Sequence, residues 1–318
     1  MGFTVSGLVD YVREETKPLL SAAILSAQTL REAGVTVQAG IKATDNLNFL
    51  AVTANMQVNG GCAYNASGTT TFTKKALSVT DLKVEQTFCV KDLEDKYTSK
   101  ALVAGSNYES LAYEKEITDL INKTIGTNLD RTLWQGDTTN HVFDPNLKSF
   151  NGFIQVIDAG SPVIATATAA ITTSNVIGIF QNVYSLIPAA LLGQANLPTA
   201  FCGWDTFRLL VTALTNLNLF HYTSDSAAAS GELMLMGTNM KIKALSGLNN
   251  ITGTTGAYKD RIVCTIPENL VYGTDLANEY EQYKIWYSQD DDNIKLSVKW
   301  KSGCQVAFVG EVVTYKNT

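Results

Sequence analysis

Histidine is almost missing from this 318-residue sequence, which holds only His141 and His221. Neither lies in a nucleophile or metal motif, so a surface or packed role is expected for both. No G-x-S-x-G, H-E-x-x-H, phosphate-binding loop or G-x-G-x-x-G occurs, and the chemistries those patterns carry lose their usual machinery. The five cysteines, Cys62, Cys89, Cys202, Cys264 and Cys304, are odd in number and widely spaced, without a C-x-x-C. That argues against a zinc site or a disulfide framework and for reduced thiols. Asp290, Asp291 and Asp292 lack the spacing of a calcium loop and read as a solvated turn. Charged residues make up 17% of the chain, against roughly 25% in ordinary soluble domains. The net charge is −6 and no Lys/Arg run exists, which excludes tight or sequence-driven nucleic-acid binding as an expectation. Asp10, Arg13, Glu14 and Glu15 interrupt any signal-peptide core. The most apolar stretch, 176–192, contains Gln181, Asn182 and Pro188 and falls short of a membrane span. Met1-Gly2 with Ser6 matches a bare myristoylation pattern without the second signal that stable anchoring needs. No catalytic, cofactor-binding or metal-ligating residue is assigned.

What remains is 45% hydrophobic and rich in Ser, Thr, Asn and Ala. Few charges and many small polar residues suit a surface covered by neighbours. The most informative element is a long amphipathic helix over residues 106–134. Ser106 and Glu109 form an S-x-x-E capping box. Tyr113, Ile117, Leu120, Ile121, Ile125, Leu129 and Leu133 form a stripe of spacing three and four. Asp119 and Lys123 are placed for an ion pair one turn apart. Gly136 is expected to close the helix in the left-handed conformation. The element would span roughly 40 Å, and reads as a structural spine.

Residues 4–33 read as helical, interrupted at Pro18 and ended by Gly34. From 35 to 90 the pattern switches to period two. Strands are predicted near 35–41, 49–58, 69–72 and 76–89, around a flexible tip at Asn59, Gly60 and Gly61. This is a long hairpin-like excursion, which cannot bury its faces alone. Residues 174–245 read as an α/β unit, with Ser174 and Asp205 as expected helix caps and a turn over 231–237 before a strand at 240–245. Strands are then predicted at 261–266, 270–272, 283–287, 294–300 and 305–309, with a hairpin tip at 290–293. Trp134, Trp204, Trp286 and Trp300 read as core or subunit contacts rather than ligand platforms.

The order of these elements resembles the major capsid protein of tailed bacteriophages, the Hong Kong 97-type fold. The resemblance covers nearly the whole chain. Its local carriers are Phe88-Cys-Val-Lys-Asp-Leu-Glu-Asp95, the helix end at Asp130 to Asp137, Asn151-Gly-Phe-Ile154, Ala200-Phe-Cys-Gly-Trp-Asp-Thr-Phe207, Met236-Gly-Thr-Asn-Met-Lys-Ile-Lys243 and Gln305-Val-Ala-Phe-Val-Gly310. It implies an α+β fold divided into an N-terminal arm (1–34), an extended β-hairpin E-loop with adjoining peripheral-domain strands (35–90), a P-domain with the spine helix (91–163), an axial α/β A-domain (164–282) and C-terminal strands returning to the P-domain (283–318).

By the same resemblance the chain is a non-enzymatic major capsid protein. It would self-assemble as pentamers and hexamers of an icosahedral shell, in the virion, after assembly in the host cytoplasm. It would enclose double-stranded DNA without sequence-specific binding, and would need no cofactor and no membrane. No long charged helical segment precedes the arm, so either a separate scaffolding protein is expected or this is the processed form; portal, decoration and head-completion proteins are further expected partners. The predicted inter-subunit contact residues are Asn59, Gly60, Gly61, Tyr64, Phe72, Lys74 and Lys75. Lys74 and Lys75 lie where some relatives cross-link, but no partner Asn or acidic catalyst is assigned here. An encapsulin-like shell of the same fold and another phage structural protein, of tail or decoration type, stand as alternatives.

Overall fold

A computed structural model describes residues 27–58, 67–89, 113–139, 144–166, 170–193, 196–217, 230–250, 258–275, 283–290 and 293–317. The helices are α1 (Gln28–Glu32), α2 (Tyr113–Gln135), α3 (Phe153–Ala159), α4 (Val176–Ser185), α5 (Ala189–Leu192) and α6 (Trp204–Asn216). The strands are β1 (Thr36–Gln38), β2 (Thr44–Ala54), β3 (Gly68–Ser78), β4 (Thr80–Cys89), β5 (Val163–Ile164), β6 (Thr199–Cys202), β7 (Glu232–Met234), β8 (Lys241–Ala244), β9 (Ile262–Thr265), β10 (Leu270–Thr274), β11 (Tyr283–Ser288), β12 (Asn293–Val306) and β13 (Val313–Tyr315).

The spine helix and a five-stranded sheet share one core. The sheet runs β1-β10-β12-β11, with β4 on the other side of β12. Along β12, Ile294, Leu296, Val298 and Trp300 alternate inward and are buried with Tyr283 and Ile285 of β11. Leu82, Val84 and Phe88 of β4 pack against the same cluster. Facing them on α2 are Ile121, Ile125, Leu129 and Leu133. Each such aliphatic side chain removed from water contributes about 1.5–3 kcal/mol.

Several expectations for the helix change in detail. Leu120 is 59% exposed, so Ile121 alone carries that turn of the stripe. Asp119 and Lys123 are exposed and form no ion pair among the described residues. Gly136 does not take a positive φ. It is small for a different reason: a Cβ there would collide with the Phe150 and Thr132 carbonyls. Ser106 and Glu109, and the arm before residue 27, lie outside the described residues, whereas Gly34 follows α1 with φ of 74°.

A polar clamp fixes the C-terminal half of α2. Asp130, 1% exposed, accepts from the Thr29 amide at 2.8 Å and the Ser246 hydroxyl at 2.6 Å. Trp134 Nε1 donates to Thr29 Oγ1 at 2.7 Å. Gln135 Nε2 donates to the Gly247 and Asn249 carbonyls at 2.7 and 2.9 Å. A buried carboxylate is tolerated when donors converge on it in this way.

The second sheet has six strands in the order β5-β13-β9-β6-β8-β7. One face packs under α4 and α6, with Ala200, Cys202, Ile242 and Cys264 beneath Phe180, Val183, Phe207 and Leu210. The other face sends Phe201 and Val263 into the spine-helix core. Trp134 bridges the layers, with ring centroids 5.3 Å from Phe153 and 5.5 Å from Phe201. Covering on both sides explains why every residue of β6 and β9 is buried.

The predicted caps differ. Asn175 rather than Ser174 precedes α4, its side chain accepting from the Thr172 amide at 2.7 Å. Gly203 precedes α6, and Asp205 instead accepts from the Asn250 amide at 3.1 Å. The segment expected as a turn contains β7, which pairs antiparallel with β8. The two strands predicted at 294–300 and 305–309 are one continuous β12. Val313–Tyr315 is a strand without a sequence forecast.

Candidate inter-subunit surface: the exposed hairpin

Strands β2 and β3 form a two-stranded sheet of eleven consecutive pairs, from Thr44 opposite Ser78 to Ala54 opposite Gly68. At about 3.3 Å per residue it extends roughly 35 Å. The excursion predicted from the sequence is therefore real, but its strands begin earlier on the outgoing limb. Its return limb also divides: Val79 interrupts it, and β4 leaves the hairpin to pair with β12 along ten positions from Asn293–Cys89 to Ser302–Thr80.

The root of the hairpin is built on two glycines. Gly273 of β10 lies opposite Gly303 of β12. A Cβ on Gly303 would collide with the Ser78 carbonyl, and one on Gly273 would press on Ile41 and Leu77 at 3.0 Å. The missing side chains open a slot in the five-stranded sheet. Leu77, fully buried, and Ile41 occupy it over Val271. The backbone closes the root through Ile41 N to Thr274 O at 3.1 Å and Val79 N to Ala43 O at 2.9 Å. Glycine inside a strand commonly marks such a close approach, and Ser302-Gly303-Cys304 carried that signal unread in the sequence.

Directly opposite residues of an antiparallel pair point to one face. On the face toward the body, Phe49 packs on Phe308 with centroids 4.8 Å apart. Lys75 Nζ donates to the Val306 carbonyl at 2.7 Å, and partial burial lowers its pKa. Gln305 Nε2 donates to the Ala76 carbonyl at 2.8 Å. On the opposite face, Leu50 lies across from Phe72, next to Val52. These three are 58%, 74% and 61% exposed, and Met56 and Val58 beyond β2 are almost wholly exposed. Lys74, opposite Asn48, is exposed on this outer face.

Of the predicted contact residues, the structure thus brings Phe72 and Lys74 to the open face and turns Lys75 onto its own subunit. Asn59, Gly60, Gly61 and Tyr64 lie outside the described residues. Leu50 and Val52, which complete the apolar patch with Phe72, were missed in the sequence, where they read only as strand residues.

Elsewhere the chain offers less chemistry. A cleft of about 340 Å³ lies between the end of α1 and the β7–β8 edge. There Lys243 Nζ donates to the Glu32 carbonyl and to Glu232, both at 2.5 Å, so its one deep cation is already engaged. Among the described residues no group of three His, Cys, Asp or Glu is placed to hold a metal ion, and no helix is long and apolar enough to cross a membrane.

No protein-family model and no curated protein matches the sequence. Solved structures do match in shape. A chain of the satellite phage P4 procapsid that includes the size determination (Sid) protein aligns with TM-score 0.65 and 11% identity, over 95% of this chain and 90% of that one. The fold is that of phage capsid proteins. The capsid of Myoviridae phage XM1 matches with TM-score 0.57 and 12% identity, over 91% of this chain and 92% of its own. The capsid of an empty GTA particle matches with TM-score 0.55 and 12% identity, over 92% and 90%. At such identities the capsid fold is shared through the arrangement of elements and not through side chains.

Proposed function

We propose that this chain is the major shell protein of a tailed-phage type particle, assembling in many copies around double-stranded DNA. The observation that carries the reading is the hairpin. Inside a capsid-type fold, eleven residue pairs project with Leu50, Val52 and Phe72 uncovered on one face. A two-stranded ribbon is marginal by itself in water. Burying those three side chains against another copy would contribute about 1.5–3 kcal/mol each before association costs. A closed shell repeats that contact around every ring of subunits, where a heterologous interface is the geometry required.

In this reading the five-stranded sheet with α2 is the P-domain, the six-stranded sheet with α4 and α6 is the A-domain, and the hairpin is the E-loop; β10, inside the bounds expected for the A-domain, then joins the P-domain sheet, and β13, expected among the returning strands, joins the A-domain sheet. Asn59, Gly60, Gly61, Tyr64, Phe72 and Lys74 contact the neighbour, while Lys75 steadies the loop from within. The role is mechanical and the place of work is the virion, after assembly in the host cytoplasm. A scaffolding protein, and portal, decoration and head-completion proteins, are the partners that such a shell takes.

Electron microscopy of the purified chain, concentrated alone or coexpressed with a scaffolding protein, tests the reading. Capsomers or closed shells are expected, with nucleic acid as the content of filled ones. A chain that stays monomeric under every condition refutes it, and shells packed with enzyme cargo would refute the genome-enclosing part.

A further inference from the structure

The hairpin root covers only part of one side of the five-stranded sheet. Beyond it, among the described residues, the same side of β4, β12 and β11 carries exposed Lys83, Glu85, Lys284, Trp286 and Lys299 around a buried Ser297, and strand pairing collects cations there. Lys83 lies opposite Lys299, and Lys301 opposite Asp81. Ser297 sits between Glu85 and Lys284, and Lys295 between Thr87 and Trp286. Lys83 pairs with Glu85 at 3.0 Å, and Lys301 lies 3.7 Å from Asp81 and from Asp275. Lys284 and Lys299 are exposed and make no ion pair among the described residues. Trp286, 44% exposed, stands on β11, the terminal strand of the sheet path.

This array is invisible as a run of charge. Along β12 its lysines alternate with Leu296, Val298 and Trp300, which face the helix. Lys83 and Lys284 join from strands distant in the chain. Like charges directly opposite on neighbouring strands oppose sheet formation, so the Lys83–Lys299 pairing costs the isolated subunit something.

The sign of the face is the reverse of the molecule's. The chain carries 24 Lys and Arg against 30 Asp and Glu, while these strands present five lysines to two carboxylates. Phosphates would be attracted by the lysines but repelled by Asp81 and Glu85 within the array. A protein surface of mixed charge and acidic balance satisfies both signs, and an exposed Trp is the kind of anchor protein interfaces use. We propose that the open face of β4, β12 and β11 receives carboxylates of a second copy of this chain. The inference rests on the shell reading above. Exposed charges at an interface act mainly on association rate and its salt dependence, so this contact makes assembly salt-sensitive.

The test uses the full chain and the double variant Lys284→Glu/Lys299→Glu, with assembly followed by light scattering and checked by electron microscopy. At ~50 mM salt the variant should assemble about tenfold more slowly with an unchanged melting curve, and the gap should close near ~0.5 M. Equal rates at both salt concentrations overturn the proposal and leave the shell reading standing. So does a variant that assembles normally but loses binding to labelled duplex DNA, which would reassign the face to nucleic acid. A wild-type chain that forms neither capsomers nor shells overturns the shell reading, and this inference with it.

Discussion

Gly303 shows how much one absent methyl group decides. A Cβ there meets a backbone carbonyl of the hairpin root, which has no rotamer by which to move aside. Gly303→Val is expected to lift the root from its slot at a cost of about 1–3 kcal/mol, read as a lowered melting temperature and faster proteolysis within residues 44–78. The thiols give a second test at this scale. Burial pushes Cys202 and Cys264 up to about 12 and Cys304 higher still, whereas Cys89 is exposed. Only a thiolate attacks an alkylating reagent. Mass spectrometry of the native protein should therefore find Cys89 modified rapidly and those three only after unfolding.

At the scale of elements, the hairpin has one face held and one face open, and substitutions should separate them. Lys75→Gln removes the bond to the Val306 carbonyl and should cost about 1 kcal/mol. Hydrogen exchange should then accelerate in β2 and β3 while α2 stays protected. Leu50→Ser/Phe72→Ser touches only the open face. The subunit should melt as the wild type does, yet form few shells under the electron microscope; undiminished shell yield would remove the patch from the interface.

The existence of this element was legible in the sequence, because alternating β-branched residues on two limbs around a Gly/Asn tip admit few other structures. Its face assignment was not. Leu50 and Phe72 differ from Phe49 and Leu77 only by parity, and parity acquires meaning once Gly303 and Gly273 say which side lies down. The helix stripe was legible for the same periodic reason, while Leu120 and Ile121, adjacent in sequence, could be told apart only by the sheet beneath them. Caps were misplaced by one or two positions: Asn175 and Gly203 precede the helices, and Asp205 is engaged instead by the distant Asn250 amide.

For the molecule as a whole, the buried ionisable groups set an alkaline limit. The folded state holds Cys202, Cys264 and Tyr272 protonated, their pKa values raised to about 12 from 9.0, 9.0 and 10.0. Between those values the unfolded chain has released protons that the native chain keeps, so stability falls as pH rises. Chemical denaturation should give an unfolding free energy that declines as pH rises from about 9 to 12.

The position of β13 has a consequence for biosynthesis. Val313–Tyr315 lies inside the six-stranded sheet, between β5 and β9, although β5 is made about 150 residues earlier. Until residue 315 has been translated, β5 has no partner and β9 has a bare edge. The ribosome thus holds a subunit that cannot yet finish this sheet, and pairing across so long a separation is slow. Nascent chains arrested before residue 312 should be captured by chaperones, and full-length chains released. The closing of this sheet thus waits on three residues, Val313 to Tyr315.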